Sequence, residues 1–135
     1  MRNGIALLLA LLFTAAQAEE AACHVTYGGE TRTLKVAQGQ SPYTVPATAV
    51  GSYFLFRALV DADTALPAGL HAVKIYVYAD KEAGATLIHQ ADFPWPVNEG
   101  TEQRHGFSGL QRVYEPVRDG ELRYWCSVVD LWERK

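Results

Sequence analysis

The sequence has few of the side chains from which metal and redox sites are built. Its 135 residues include two cysteines, one methionine and four histidines. No two histidines have the His-x-His or His-x-x-x-His spacing that would place two ring nitrogens on one ion, and no Cys-x-x-Cys pair is present. We therefore expect no metal, no redox centre and no other cofactor.

Basic clusters and membrane-spanning runs are also missing. The chain has 12 basic and 15 acidic residues, with a formal net charge of -3. No basic face is apparent that would neutralise phosphates, so we expect no nucleic-acid partner. Beyond residue 18 no apolar run approaches the roughly 20 residues that a helix needs to cross a bilayer, so we expect no transmembrane segment.

Catalytic motifs are equally scarce. Ser108 lies in Gly106-Phe107-Ser108-Gly109, whereas a nucleophile elbow needs Gly-x-Ser-x-Gly between a strand and a helix. No glycine-rich phosphate loop is present. We predict that the protein is not an enzyme. The less favoured alternative is a hydrolase whose site the fold assembles, with His89 or His105 beside a carboxylate.

The amino terminus has the parts of an export signal. Arg2 precedes an apolar run from Gly4 to Phe13, and residues 14–18 end in small residues typical of a cleavage site. This pattern predicts a signal peptide over residues 1–18 and a single β domain over residues 19–135, exported to the periplasm or the medium. A lipid anchor at Cys23 is less favoured, because Glu20 occupies a position that is usually apolar.

The two cysteines lie near the two ends of the mature chain. In an oxidising compartment two cysteines have only one possible pairing. We therefore predict a disulfide between Cys23 and Cys126 that joins the first and last strands. Two buried free thiols remain the alternative.

Hydrophobic residues follow a period of two along most of the mature chain. Cys23 to Tyr27 and Glu30 to Ala37 alternate on either side of Gly28-Gly29, which predicts a hairpin in which Tyr27 faces Glu30. Further strands are predicted over 50–60, 73–79, 86–93, 110–115 and 121–129. About seven strands without an amphipathic helix indicate an all-β fold, either a single antiparallel β-sandwich or a small barrel.

One segment resembles the immunoglobulin pattern. Tyr124-x-Cys126 follows a turn signal at Asp119-Gly120, and immunoglobulin domains carry a tyrosine two residues before the second cysteine. Two departures accompany it: Cys23 lies on the predicted first strand instead of the second, and no tryptophan follows it at the expected distance. An immunoglobulin-like sandwich is therefore one possible architecture, and the family is not assigned.

The loop predicted after Phe93 carries the first candidate contact surface. Trp95 lies between Pro94 and Pro96, so its backbone is stiff, and a rigid aromatic side chain loses little entropy when it enters a partner's pocket. The alternative is that Trp95 folds back and caps the core. The candidate partner contacts are Trp95, Arg104, His105 and Phe107.

Outward-facing aromatic residues form a second candidate surface, made of Tyr76, Tyr78 and Trp125. These features favour a protein-interaction or inhibitor-like module whose partner is another envelope or extracellular protein. The alternative function is the binding of a small ligand or carbohydrate that stacks on the exposed aromatic rings.

Overall fold

The computed structural model describes residues 19–38, 41–61, 71–98, 100, 102–116 and 119–129. These residues form eight strands: β1 Glu20–Tyr27, β2 Glu30–Lys35, β3 Thr48–Val50, β4 Phe54–Asp61, β5 His71–Lys81, β6 Gly84–Trp95, β7 Gln111–Tyr114 and β8 Glu121–Val129. They build two antiparallel four-stranded sheets, ordered β2-β1-β8-β7 and β3-β4-β5-β6. The first is called sheet A and the second sheet B. The predicted signal peptide lies outside the described residues.

The predicted all-β class is confirmed, and so is the first hairpin. Cys23 pairs with Leu34 and Tyr27 with Glu30, as the Gly28-Gly29 turn predicts. Both glycines have positive φ, at 61° and 79°, which residues with a side chain rarely adopt. The described ranges contain no helix of the length and apolar character that a membrane crossing requires.

The predicted strand over residues 50–60 is wrong at its beginning. Residues 51–53 form a turn, and the short β3 precedes it and pairs back onto β4. Gly51 has φ 61°, and a Cβ there would lie 2.3 Å from the ring of Tyr27. The turn could not be predicted from the sequence, because it lies within an apolar run. It is specified by the contact of Gly51 with Tyr27 of the first hairpin and not by polar turn residues.

Strand β6 differs from its prediction in two ways. Val77 pairs with His89 and Tyr78 with Leu87, so Ile88 is the extra residue of a bulge. Leu87 is consequently 46% exposed and does not share the inward side of His89. Pairing also continues through Pro94 and Trp95, which pair with Ala72 and His71. Proline is tolerated because β6 is an edge strand, whose outward N–H groups need no ladder partner.

The disulfide between Cys23 and Cys126 is present, as predicted, and joins β1 to β8. The two cysteines are register partners on adjacent strands, with Cα atoms 4.0 Å apart. The bridge therefore lies within one sheet, whereas the immunoglobulin disulfide links two sheets. Tyr124 also departs from that pattern, since its hydroxyl bonds to His89 on β6 and not to nearby backbone.

One buried cluster receives side chains from both sheets. Cys23 and Val25 of β1 lie in it with Val73, Ile75 and Val77 of β5, all of them fully buried. Beyond β2 the chain passes from one sheet to the other: the Ala37 amide donates to the Ala58 carbonyl, and the Val60 amide donates to the Ala37 carbonyl. The sheets are therefore connected at one side by backbone hydrogen bonds as well as by their common core.

The loop before β7 covers the part of the β8 edge that β7 does not pair with. The Phe107 amide donates to the Cys126 carbonyl, the Cys126 amide donates to the Ser108 hydroxyl, and the Val128 amide donates to the Glu102 carboxylate at 2.5 Å. These bonds replace those of a missing strand, so the amides of β8 are satisfied without a further ladder. Gly106 permits this approach, because a Cβ there would lie 2.0 Å from the Cys126 carbonyl oxygen.

The position of the disulfide leads to a prediction about stability. Replacing both cysteines by alanine (Cys23→Ala with Cys126→Ala) should lower the free energy of unfolding by about 2–5 kcal/mol, because the bridge joins residues separated by 103 positions in the sequence. Urea denaturation of the oxidised protein, the reduced protein and the double variant measures this. Equal midpoints for the oxidised and reduced forms would contradict the prediction.

Candidate functional site

The structure places the first candidate surface differently from its prediction. Trp95 ends β6 and lies in the core cluster, only 5% exposed. Phe107 is half-buried beside it, with the ring centroids 5.9 Å apart. The capping alternative thus describes Trp95, whose ring is not free to enter a partner's pocket. Trp95 is therefore corrected from a contact residue to a core residue, whereas the half-buried Phe107 stays a candidate contact.

The other two residues of that surface lie outward. Arg104 is exposed, and His105 is half-buried. The ring of His105 meets the ring of Trp125 edge-on, with centroids 6.0 Å apart. His105 of the first candidate surface therefore contacts Trp125 of the second.

The predicted aromatic face is divided between the sheets. Tyr76 and Tyr78 lie on β5 in sheet B, whereas Trp125 lies on β8 in sheet A. Each alternates with buried core residues along its strand, so each points away from the common core. The three rings do not form one platform.

The two tyrosines are already engaged within sheet B. Their rings stack with centroids 6.5 Å apart. The Arg57 guanidinium donates to the Tyr78 hydroxyl at 3.0 Å and lies 5.3 Å from that ring's centroid. Burial raises the pKa of the half-buried Tyr76. Arg57 is the cation that contacts an aromatic ring in the described part of the chain.

Trp125 is held between two histidines on the outward side of sheet A. His24 is its register partner on β1 and stacks on it with ring centroids 3.9 Å apart. The His24 ring is fixed by hydrogen bonds to Ser127 at 3.1 Å and to Thr33 at 3.3 Å. We call this surface the Trp125 face, defined as the outward side of sheet A around Trp125: His24, Thr26, Thr31, Thr33, Lys35, Arg112, Arg123, Trp125 and Ser127, with His105 from the adjoining loop.

Two arginines also lie on this face, and neither belongs to the candidate contacts named from the sequence. Arg112 on β7 and Arg123 on β8 are direct register partners. Directly opposed like charges destabilise a sheet. Arg112 contacts Glu121 at 3.3 Å, while Arg123 has no ion-pair partner among the described residues. A two-residue turn at Asp119-Gly120 would have placed Arg112 opposite Ser127, so the arginine pair became visible only once the structure showed that β7 ends at Tyr114 and β8 begins at Glu121.

A hollow of about 420 Å³ adjoins His24 on the same face. Ala22 and Val129 form its apolar floor, and its polar lining comes from Glu20, His24, Thr33, Lys35 and Ser127. It exists because Ala22 is a short side chain opposite Lys35 and Ser127 in the strand register. A second hollow, of about 320 Å³, is lined by residues 103–109.

The contact between Ser127 and His24 has the atom pairing of a nucleophile and its base, but lacks the remaining parts. The other ring nitrogen of His24 meets the Thr33 hydroxyl instead of an orienting carboxylate. Ser127 lies within the β1–β8 ladder, where backbone N–H groups pair strands and do not converge on an oxyanion. The arrangement positions the imidazole against Trp125, and we derive no reaction from it.

His89 also has a structural partner. Its Nε2 lies 2.7 Å from the hydroxyl of Tyr124, a core residue whose pKa burial raises. Burial lowers the pKa of His89. Among the described residues neither His89 nor His105 forms a hydrogen bond or ion pair with a carboxylate, so the hydrolase alternative gains no support from these histidines.

Comparisons with known proteins give no relative for this chain. No family model, no curated protein sequence and no solved structure matches it. Within the described ranges, no group of three or more histidine, cysteine, aspartate or glutamate side chains is arranged to hold a metal ion. The Trp125 face is therefore judged on its own geometry.

The half-buried position of His89 predicts how the free energy of unfolding depends on pH. Because the folded-state pKa lies below the ordinary 6.5, the unfolded chain takes up a proton that the folded chain does not. The contribution is complete above about pH 6.5 and is lost as the pH falls toward the lowered value. The free energy of unfolding should thus fall more steeply on acidification in the wild type than in His89→Gln. Urea denaturation of both proteins from neutral to mildly acidic pH checks this, and parallel curves would refute it.

Proposed function

We propose that this chain is an exported protein-interaction module that binds its partner through the Trp125 face. The observation that carries the proposal is the position of Trp125, which lies outside the core yet is held rigidly between His24 and His105. Residues that a fold does not need for packing, but still immobilises at its surface, are well suited to binding because little entropy remains to be lost.

The composition of the face supports the same function. Interfaces derive most of their binding energy from a few tryptophan, tyrosine and arginine side chains. Trp125, Arg112 and Arg123 lie on adjacent strands here, and Tyr114 on β7 is 59% exposed beside them. The outward side of sheet B offers less, because the rings of Tyr76 and Tyr78 stack on each other and Arg57 already donates to the Tyr78 hydroxyl. An inhibitor-like role is one form of such a module.

Two finer features belong to this proposal. The sheets are taken to pack as a sandwich and not to close into a barrel, because the backbone hydrogen bonds between them in the described ranges involve Ala37 at one side only. Export to the periplasm or the medium is supported by the formed disulfide, which persists in oxidising compartments.

A second candidate function is the binding of a small polar ligand, carbohydrate included, in the hollow beside His24. Its volume of about 420 Å³ lies in the range of small-molecule sites, and its lining combines an aromatic ring with hydroxyls. A glycan screen by thermal shift separates the two functions, because only a small-ligand site predicts a rise in melting temperature with a saccharide and its loss in His24→Ala.

The interaction proposal predicts where a partner can be crosslinked. A photoreactive residue at Thr31, on the Trp125 face, should trap a discrete adduct in the producing cells. The same residue at Gln90, on the outward side of sheet B, should not. Trp125→Ala should reduce the Thr31 adduct strongly, since loss of a central tryptophan weakens an interface by about 2 kcal/mol or more.

Tyr78→Ala is the matched control, an aromatic truncation on the other sheet that should leave the Thr31 adduct unchanged. The melting temperatures of both variants show whether each still folds. Because an aromatic pair contributes only about 0.5–1.5 kcal/mol, Trp125→Ala should remain folded. Equal adducts at Thr31 and Gln90, or a Thr31 adduct that survives Trp125→Ala, would overturn the proposal.

A further inference from the structure

The available charge on the Trp125 face has one sign. Arg123 and Lys35 project from its strands, and Arg104 extends from the adjoining loop; none has an ion-pair partner in the described part of the chain. The basic residues elsewhere are mostly engaged: Lys74 pairs with Asp61 at 2.6 Å, Arg57 bonds to Tyr78, and Arg32 donates to the Ala49 carbonyl. Among the described residues Lys81, at the end of β5, is the exception.

The acidic residues near this face are occupied. Glu121 contacts Arg112, and Glu102 accepts the Val128 amide at the edge of β8. Glu20 also interacts with other groups. A partner that approaches this face therefore meets cations that can form new ion pairs, although the whole chain has a formal net charge of -3.

The strand register determines the spacing between Arg112, Arg123 and Trp125. Arg112 and Arg123 are direct partners, so their Cβ atoms are about 5 Å apart, a spacing at which two guanidinium groups can share one carboxylate. Trp125 follows Arg123 by two residues on the same side of β8, about 7 Å along the strand. A carboxylate on the arginines would thus place a neighbouring group of the ligand over the indole.

We propose that the Trp125 face recognises an acidic segment of a partner protein, with a glutamate or aspartate carboxylate bound between Arg112 and Arg123 and the adjacent residue packed on Trp125. This inference rests on the proposed interaction function and specifies the chemistry of the partner. Arg112 already contacts Glu121 at 3.3 Å, so the bound carboxylate would share Arg112 with Glu121 and would give Arg123 an ion-pair partner that the described residues do not supply.

The test uses a glutamate oligopeptide of about ten residues as the probe, with glutamine and lysine oligopeptides of equal length as controls. Binding is followed by the NMR signal of the Trp125 indole N–H, assigned with Trp125→Phe. At low ionic strength, where screening is weak, the glutamate peptide should shift this signal saturably and the control peptides should not. Added salt should weaken the binding.

Arg123→Glu separates recognition from folding. It replaces two opposed arginines with an opposite-charge cross-strand pair, so the melting temperature should stay equal or rise. Affinity for the glutamate peptide should nevertheless fall by at least about tenfold, the scale of a lost charge-assisted contact. Lys81→Glu makes the same change in net charge at the β5–β6 turn and should leave the affinity within about twofold.

Three results would overturn the inference: no saturable shift with the wild type, an equal affinity of Arg123→Glu, or an equal loss in Lys81→Glu. Failure here is distinguishable from failure of the proposed function. An adduct at Thr31 that depends on Trp125, combined with no glutamate binding, would retain the interaction module and reject the acidic partner. Glutamate binding without that adduct would confirm the cationic site and reject the protein interaction.

Discussion

The pairing of β1 with β8 is the constraint on which the rest of the structure depends. It brings the two ends of the described chain into the centre of sheet A, and the Cys23–Cys126 bridge fixes its register there. Because side chains alternate along a strand, a register that buries both sulfurs must turn His24 and Trp125 outward as a pair. The same strand register thus determines which side chains enter the core and which lie on the Trp125 face. A shift of the register by one residue would turn the core side chains outward and the outward side chains into the core.

Three of the four sheet edges in the described ranges carry a feature that limits pairing with another chain, and β2 forms the fourth edge. β6 has a bulge at Ile88 and a proline at position 94, and β3 and β7 are short. The edge of β8 beyond β7 is covered by the hydroxyl of Ser108 and the carboxylate of Glu102. Such features are the usual protection against edge-to-edge association. They disfavour the addition of a further strand at these three edges.

How much of this was predictable depended on whether the signal was local. The Gly28-Gly29 turn and the alternation beside it specify the first hairpin, and two cysteines leave only one possible pairing, so both predictions are confirmed. The turn at Gly51 and the bulge at Ile88 escaped because long-range contacts create them: the ring of Tyr27 over Gly51, and the burial of Ile88 against the core. A period of two in the sequence cannot show where a strand contains an extra residue.

The candidate site shows the same division. That Trp125 points outward follows from alternation, but its neighbours come from β1 and from a loop some twenty residues earlier, and no spacing rule joins them. For Trp95 the local signal was present but pointed to the wrong environment. Its flanking prolines suggest a rigid, exposed anchor, whereas the edge strand β6 tolerates Pro94 and continues far enough to bury the indole. Both tryptophans are held rigidly, but Trp95 lies in the core whereas Trp125 lies on the outward side of sheet A. Candidate functional residues are best sought among side chains that the fold immobilises but does not bury, and Trp125 meets both conditions.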